Sequence, residues 1–120
     1  MAHKILLIDD SSISRKMFKR ELANEGYEIL EASSGASGIE IYKNESIDLV
    51  FLDLTMPEMD GFQALEILKN IDPQVKVIIL SADVQTTSRE KAFELGAVDF
   101  VNKPINNENL KCVLERELSC

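Results

Sequence analysis

Positive charge is scarce in this chain: 13 Lys and Arg face 21 Asp and Glu, leaving a formal net charge of −8. That balance excludes nonspecific binding to nucleic acid or to an anionic membrane surface, since both need a positive field. Long apolar runs are missing as well. None approaches the ~20 residues needed to span a bilayer. The opening stretch MAHKILLIDD has too short an apolar segment for a signal peptide and runs straight into acid. The expected location is therefore cytoplasmic. Cysteine is limited to Cys112 and Cys120. On one helix these would lie about 12 Å apart, beyond the ~7 Å that a disulfide allows. Free thiols suit a reducing compartment; Cys112 is expected to pack or half-pack, and Cys120 to fray with the terminus. Neither G-x-G-x-x-G nor a P-loop pattern occurs, so nucleotide binding has no support. The single histidine, His3, precedes the first apolar run and reads as incidental rather than as a phosphate carrier.

What is present is an ordinary globular composition. With 45% hydrophobic and 28% charged residues, the chain can build a core without staples. Its length suits one domain over residues 1–120, and no linker, repeat or low-complexity tract divides it. Five short apolar runs stand out: KILLID (4–9), YEILEA (27–32), DLVFLD (48–53), VKVIILS (75–81) and VDFV (98–101). Three are nearly continuous, as strands covered on both faces are. Helical spacing fills the intervals. Ile13, Met17, Phe18 and Leu22 mark a first helix ending near Gly26, and Ala36, Ile39 and Tyr42 a second. Phe62, Leu65 and Leu68 mark a third, Ala92, Phe93 and Leu95 a fourth stopped by Gly96, and Leu110, Val113, Leu114 and Leu118 a fifth. Fivefold strand–helix alternation implies an α/β fold: a doubly wound parallel sheet with helices on both faces.

Ligands of such sheets bind outside the carboxyl ends of the strands. The first run ends in Asp9-Asp10, the third in Asp53, the fourth in Ser81, and the fifth leads into Lys103-Pro104. The second ends blandly in Ala32-Ser33-Ser34. Any one of these polar residues, alone, reads best as a cap, a turn residue or a solvated lysine. Their coincidence at the ends of four of the five runs weakens that reading. The set Asp9-Asp10, Asp53, Ser81-Ala82 and Lys103-Pro104, with LDLTMPEMDG around the middle Asp, resembles the receiver domain of bacterial response regulators. The stand-alone, CheY-like type is the nearest, and the likeness covers essentially the whole chain. It implies a flavodoxin-like (βα)5 fold with strand order 2-1-3-4-5; that order comes with the resemblance, not from the spacing.

Three clustered carboxylates repel one another unless a cation joins them, and a hard divalent ion such as Mg²⁺ suits oxygen donors. The resemblance implies Asp10 and Asp53 as direct Mg²⁺ ligands, Asp9 as direct or water-mediated, and the backbone carbonyl of Thr55 completing the set. It makes Asp53 the phosphoacceptor, a carboxylate already ionised at neutral pH and in need of no general base. Lys103 would place a point charge on a phosphoryl oxygen, and Ser81 would donate its hydroxyl to another. Phe100 would be the switch aromatic, turning inward as Ser81 moves; lacking a tyrosine hydroxyl, it cannot report its state by a hydrogen bond. Thr55 and Asp83 would tune dephosphorylation, and Lys103-Pro104 would be a cis peptide.

The implied activity is that of a phosphorylation-switched signalling protein, not a turnover enzyme. Its donor would be a sensor histidine kinase or a histidine phosphotransfer protein. Its target would dock on the fourth helix, fifth strand and fifth helix, and a phosphatase is a further partner. Chemotaxis-type signalling and an intermediate step in a phosphorelay both remain open. A haloacid-dehalogenase-type phosphatase also uses a strand-end Asp and Mg²⁺, but it wants a second Asp where Thr55 stands.

Overall fold

The computed structural model describes residues 3–23, 25–54, 61–81, 86–103 and 107–118, and at 86–88 and 107 the backbone alone. The elements alternate as expected: β1 (Lys4–Ile8), α1 (Ser12–Glu21), β2 (Glu28–Ala32), α2 (Gly35–Asn44), β3 (Leu49–Asp53), α3 (Gly61–Ile71), β4 (Val77–Ser81), α4 (Thr86–Glu94), β5 (Asp99–Asn102) and α5 (Asn107–Leu118). All four strand pairings are parallel, in the order β2-β1-β3-β4-β5. The flavodoxin-like arrangement implied by the sequence is thus the one found.

The strand side chains divide by the period of two that a pleated strand imposes. Leu6, Ile8, Val50, Leu52 and Ile79 face one way, against Ile39 of α2, Ala64, Leu65 and Leu68 of α3 and Ala92 of α4. Ile5, Leu7, Leu49, Phe51, Ile78 and Leu80 face the other, against Phe18 of α1 and Leu110, Val113 and Leu114 of α5. Phe18 and Phe51 meet edge to face, with centroids 4.8 Å apart. β3 and β4 are buried throughout, whereas the edge strand β2 exposes Glu28 and Glu31. An edge strand leaves residues in contact with solvent, and the continuous buried runs are those of the centre.

Local chemistry starts the first two helices. Ser11 Oγ accepts from Ser14 N at 3.2 Å, and Ser34 Oγ accepts from Ser37 N at 3.1 Å, each satisfying a first-turn donor. Gly26, at φ +81°, takes the left-handed turn between α1 and β2.

Three expectations change. Ile13 is 71% exposed and Met17 40%, so α1 buries only Phe18 within its span, with Leu22 just beyond. At about 100° per residue, Ile13 lies half a turn around the helix from Leu22, so the four apolar residues never shared one narrow face. Phe93 is 40% exposed, because α4 turns the adjacent Ala92 to the sheet instead. Cys112 is exposed rather than packed: Leu110, Val113 and Leu114 claim the inner face of α5. Cys120, like the Lys103-Pro104 peptide, lies outside the described residues. Among the described residues, no helix is long and apolar enough to cross a membrane.

Candidate functional site

The parallel register brings the carboxyl ends of β1, β3, β4 and β5 to one rim. Asp9 follows β1 directly and stays on the sheet, its N–H donating to Ala32 O of β2 at 3.0 Å. Asp53 ends β3 opposite Leu80, and Ser81 ends β4 opposite Asn102. Lys103 follows β5, its backbone N–H donating to Ser81 O at 2.8 Å. The sheet ladder therefore fixes where each of these side chains begins.

Their side chains converge. One carboxylate oxygen from each of Asp9, Asp10 and Asp53 lies within 4.8 Å of the others. Asp9, Asp53 and Ser81 are buried, while Asp10 is exposed and forms the open lip of the cluster. Lys103 reaches in from the far edge: its Nζ lies 2.9 Å from Asp9 Oδ2, 3.4 Å from Asp53 Oδ2 and 3.5 Å from Ser14 Oγ. Asp9 Oδ1 accepts from Ser11 N at 2.9 Å, so both oxygens of Asp9 are engaged. Burial works against the charge on Lys103, but the bond to Asp9 and the field of Asp53 outweigh it and hold the ammonium's pKa above the usual lysine value.

Charge states what the site can take. Three carboxylates and one ammonium leave about two negative charges in a rim where Asp9 and Asp53 are buried, an expensive state to hold without a cation. The donors are all hard carboxylate oxygens, and Asp10 among them is exposed to solvent. Those are the demands of Mg²⁺, which prefers a few carboxylates and keeps several waters. The donor set fits a hard divalent cation.

Of the residues singled out from the sequence, Asp9, Asp10, Asp53 and Lys103 come together, and Ser81 ends the strand beside Asp53. Asp53 is recessed, with its side chain only 7% exposed. Hydrogen-bonded pairing of β3 with β4, and Lys103 3.4 Å away, set it back into the rim, while Asp10 is exposed. Phe100 is already buried, at 8% exposure, among core residues, with the Arg89 guanidinium 5.9 Å from its ring centroid. Inward rotation therefore has little surface left to remove. Thr55 and Asp83 lie outside the described residues.

Sequence reading missed two contributors to the rim, Ser14 and Arg15, and one ion pair at the other end of β5. Ser14 meets Lys103, and Arg15 Nη1 donates to the Asp9 carbonyl at 2.6 Å. Asp99 is buried and paired with Arg116 of α5. None of these carries a local sequence signal that names its partner.

The comparisons agree with this geometry. The family described as response regulator receiver domain matches residues 5–115. The Bacillus subtilis chemotaxis protein CheY is 42% identical over 120 residues, covering 99% of this chain and 100% of its own. The Treponema pallidum CheY is 41% identical, covering 95% of this chain and 79% of its own. Vibrio cholerae CheY4 superposes with a TM-score of 0.92 at 26% identity, covering 98% of this chain and all of its own. CheY in the CheX-CheY-BeF3-Mg²⁺ complex of Borrelia burgdorferi gives 0.90 at 30%, covering 95% and 87%. A parallel (βα)5 sheet, an acidic rim with a strand-end lysine, and a family match over nearly the whole length lead to one conclusion: the chain belongs to the response regulator receiver domain family, in its CheY-like form.

Proposed function

We propose that residues 1–120 act as one receiver domain that takes a phosphoryl group onto Asp53 in a Mg²⁺-dependent reaction. The observation that carries this is the convergence of Asp9, Asp10 and Asp53 on one point with Lys103 beside it. Bound Mg²⁺ would offset charge between Asp53 and an incoming phosphoryl group. Asp10 and Asp53 would hold it directly, Asp9 directly or through water, and the carbonyl of Thr55 would complete the protein's share. An Asp53 carboxylate oxygen attacks phosphorus in line, and the bond from phosphorus to the donor's nitrogen or oxygen breaks, with the electron pair leaving on the donor. Lys103, held against Asp9 and Asp53 at rest, turns its charge to a phosphoryl oxygen. Ser81 donates its hydroxyl to another. Water later cleaves the acyl phosphate, with Thr55 and Asp83 tuning the rate.

Output runs through Phe100 to the face formed by α4, β5 and α5. Phe100 lines a shallow groove there with Asn102, Asn109, Cys112 and Arg116, so a change around the aromatic reaches an exposed surface. The donor is a sensor histidine kinase or a histidine phosphotransfer protein, and a phosphatase acts on the product. The names of the full-length relatives favour chemotaxis-type signalling in the cytoplasm over a phosphorelay intermediate. The Borrelia relative's complex with Mg²⁺ and beryllofluoride, a phosphoryl mimic, supports the same chemistry here, and its CheX component supports a protein partner of that kind.

The test is intact-mass spectrometry after incubation with acetyl phosphate and Mg²⁺. The wild type should gain one phosphoryl group, and Asp53→Asn or excess EDTA should abolish the gain. Uptake by Asp53→Asn at the wild-type level rejects the assignment.

A further inference from the structure

We infer that Arg15 is a positioning residue for the cation site: its guanidinium holds the peptide between Asp9 and Asp10, and so aims both carboxylates. This inference rests on the metal reading of the rim given above.

The Asp9 carbonyl lies just past β1, where the ladder ends. Arg15 supplies its donor from α1, with Nη1 at 2.6 Å. The same guanidinium donates from Nε to Glu31 Oε1 of β2 at 3.1 Å, and Lys19 Nζ holds the second oxygen of Glu31 at 3.0 Å. The Arg15 side chain is only 17% exposed. A planar fork can bind a carbonyl and a carboxylate together in fixed geometry, which a flexible ammonium does not. Asp9 is consequently fixed at four points: its N–H by Ala32 O, its carbonyl by Arg15, and its two carboxylate oxygens by Ser11 N–H and Lys103. Asp10 is exposed, and its direction depends on the peptide it shares with Asp9. Freeing the carbonyl lets that peptide rotate, and the two neighbouring carboxylates lose their common aim.

Electrostatics alone predicts the opposite sign. Arg15 is a cation near a cation site, so removing its charge should by Coulomb's law tighten Mg²⁺ binding. Positioning predicts weaker binding, in the manner of groups that orient metal ligands from behind.

The experiment is calorimetric titration of the whole chain with MgCl₂, with circular-dichroism melting of each variant alongside. The wild type should bind, and Asp10→Asn should lose most of the affinity. Arg15→Ala should weaken Mg²⁺ by about 10-fold. Arg15→Lys, which keeps the charge and is expected to fold, should weaken it by a smaller but clear factor. If Arg15→Ala does not fold, Arg15→Lys carries the test alone. Folded Arg15 variants that bind Mg²⁺ as tightly as the wild type, or more tightly, overturn the role of Arg15 and leave the metal site standing. Absence of binding by the wild type overturns the metal reading itself, and this inference with it.

Discussion

Gly61→Ala tests whether the helix that follows β3 helps to place Asp53. Gly61 opens α3 and donates its N–H to Leu54 O at 2.9 Å. A Cβ built there would stand 2.6 Å from Leu54 Cα, 2.8 Å from Asp53 O and 2.9 Å from Leu54 Cδ2. Two of these neighbours are backbone atoms, so no side-chain rotation relieves them. Reaching ordinary contact requires an opening of about 0.8 Å. Overpacking of this kind costs about 1–3 kcal/mol. For a domain of this size that lowers the melting temperature by roughly 4 °C per kcal/mol. The opening also moves the carbonyl of Asp53 itself. Misplacement approaching 1 Å costs up to about 100-fold in rate, so phosphorylation by acetyl phosphate should slow by about 10-fold or more. Gly26→Ala is the control. Gly26 sits at φ +81° with nothing within 4 Å of the added carbon, far from the rim. It should lose about 1–2 kcal/mol through backbone conformation and phosphorylate at the wild-type rate. A Gly61→Ala protein that is destabilised yet phosphorylates normally would show that α3, not the strand end, gives way, and would refute the coupling.

Two further perturbations separate core from site. Phe18→Ala removes one ring of the buried Phe18–Phe51 pair and should cost about 3–5 kcal/mol in denaturant unfolding, while the variant, kept cold, takes phosphate as the wild type does. Lys103→Ala should still accept phosphate, more slowly, and fail to bind its target; with the rim's ammonium gone, added Mg²⁺ should raise its melting temperature by more than it raises that of the wild type. The pH dependence follows from the same lysine. Its pKa is raised on folding, so its stabilisation is complete below the ordinary lysine value of 10.5 and is lost as pH climbs through the higher folded value. Alkaline unfolding should therefore be less steep in Lys103→Ala, and equal steepness would count against the contacts of Lys103 with Asp9 and Asp53.

How much of this was legible in the sequence depended on whether a residue's signal was local. The central strands announced themselves because burial on both faces leaves continuous apolar runs, and an Asp, Ser or Lys closing such a run is conspicuous. Asp9, Asp10, Asp53, Ser81 and Lys103 were found in that way. α1 was harder: four apolar residues fit a period, but only the structure tells which of them meet the sheet, and Ile13 and Met17 do not. Arg15 with Glu31, and Asp99 with Arg116, join residues of different elements, so no window of sequence contains the reason for either pair. Gly38 and Gly61 were silent for the same cause. A Cβ at Gly38 would run into the Ile8 side chain of β1, and one at Gly61 into the backbone of Asp53 and Leu54 where β3 ends.

The central claim is that Asp53, and no other group, carries the phosphoryl as a mixed anhydride. Borohydride reduces an aspartyl phosphate to homoserine but leaves phosphate esters intact. Reducing the acetyl-phosphate-treated protein and reading its peptides by tandem mass spectrometry should find homoserine at position 53 only. Homoserine at Asp9 or Asp10, or a phosphorylated protein with Asp53 unchanged after reduction, would contradict it.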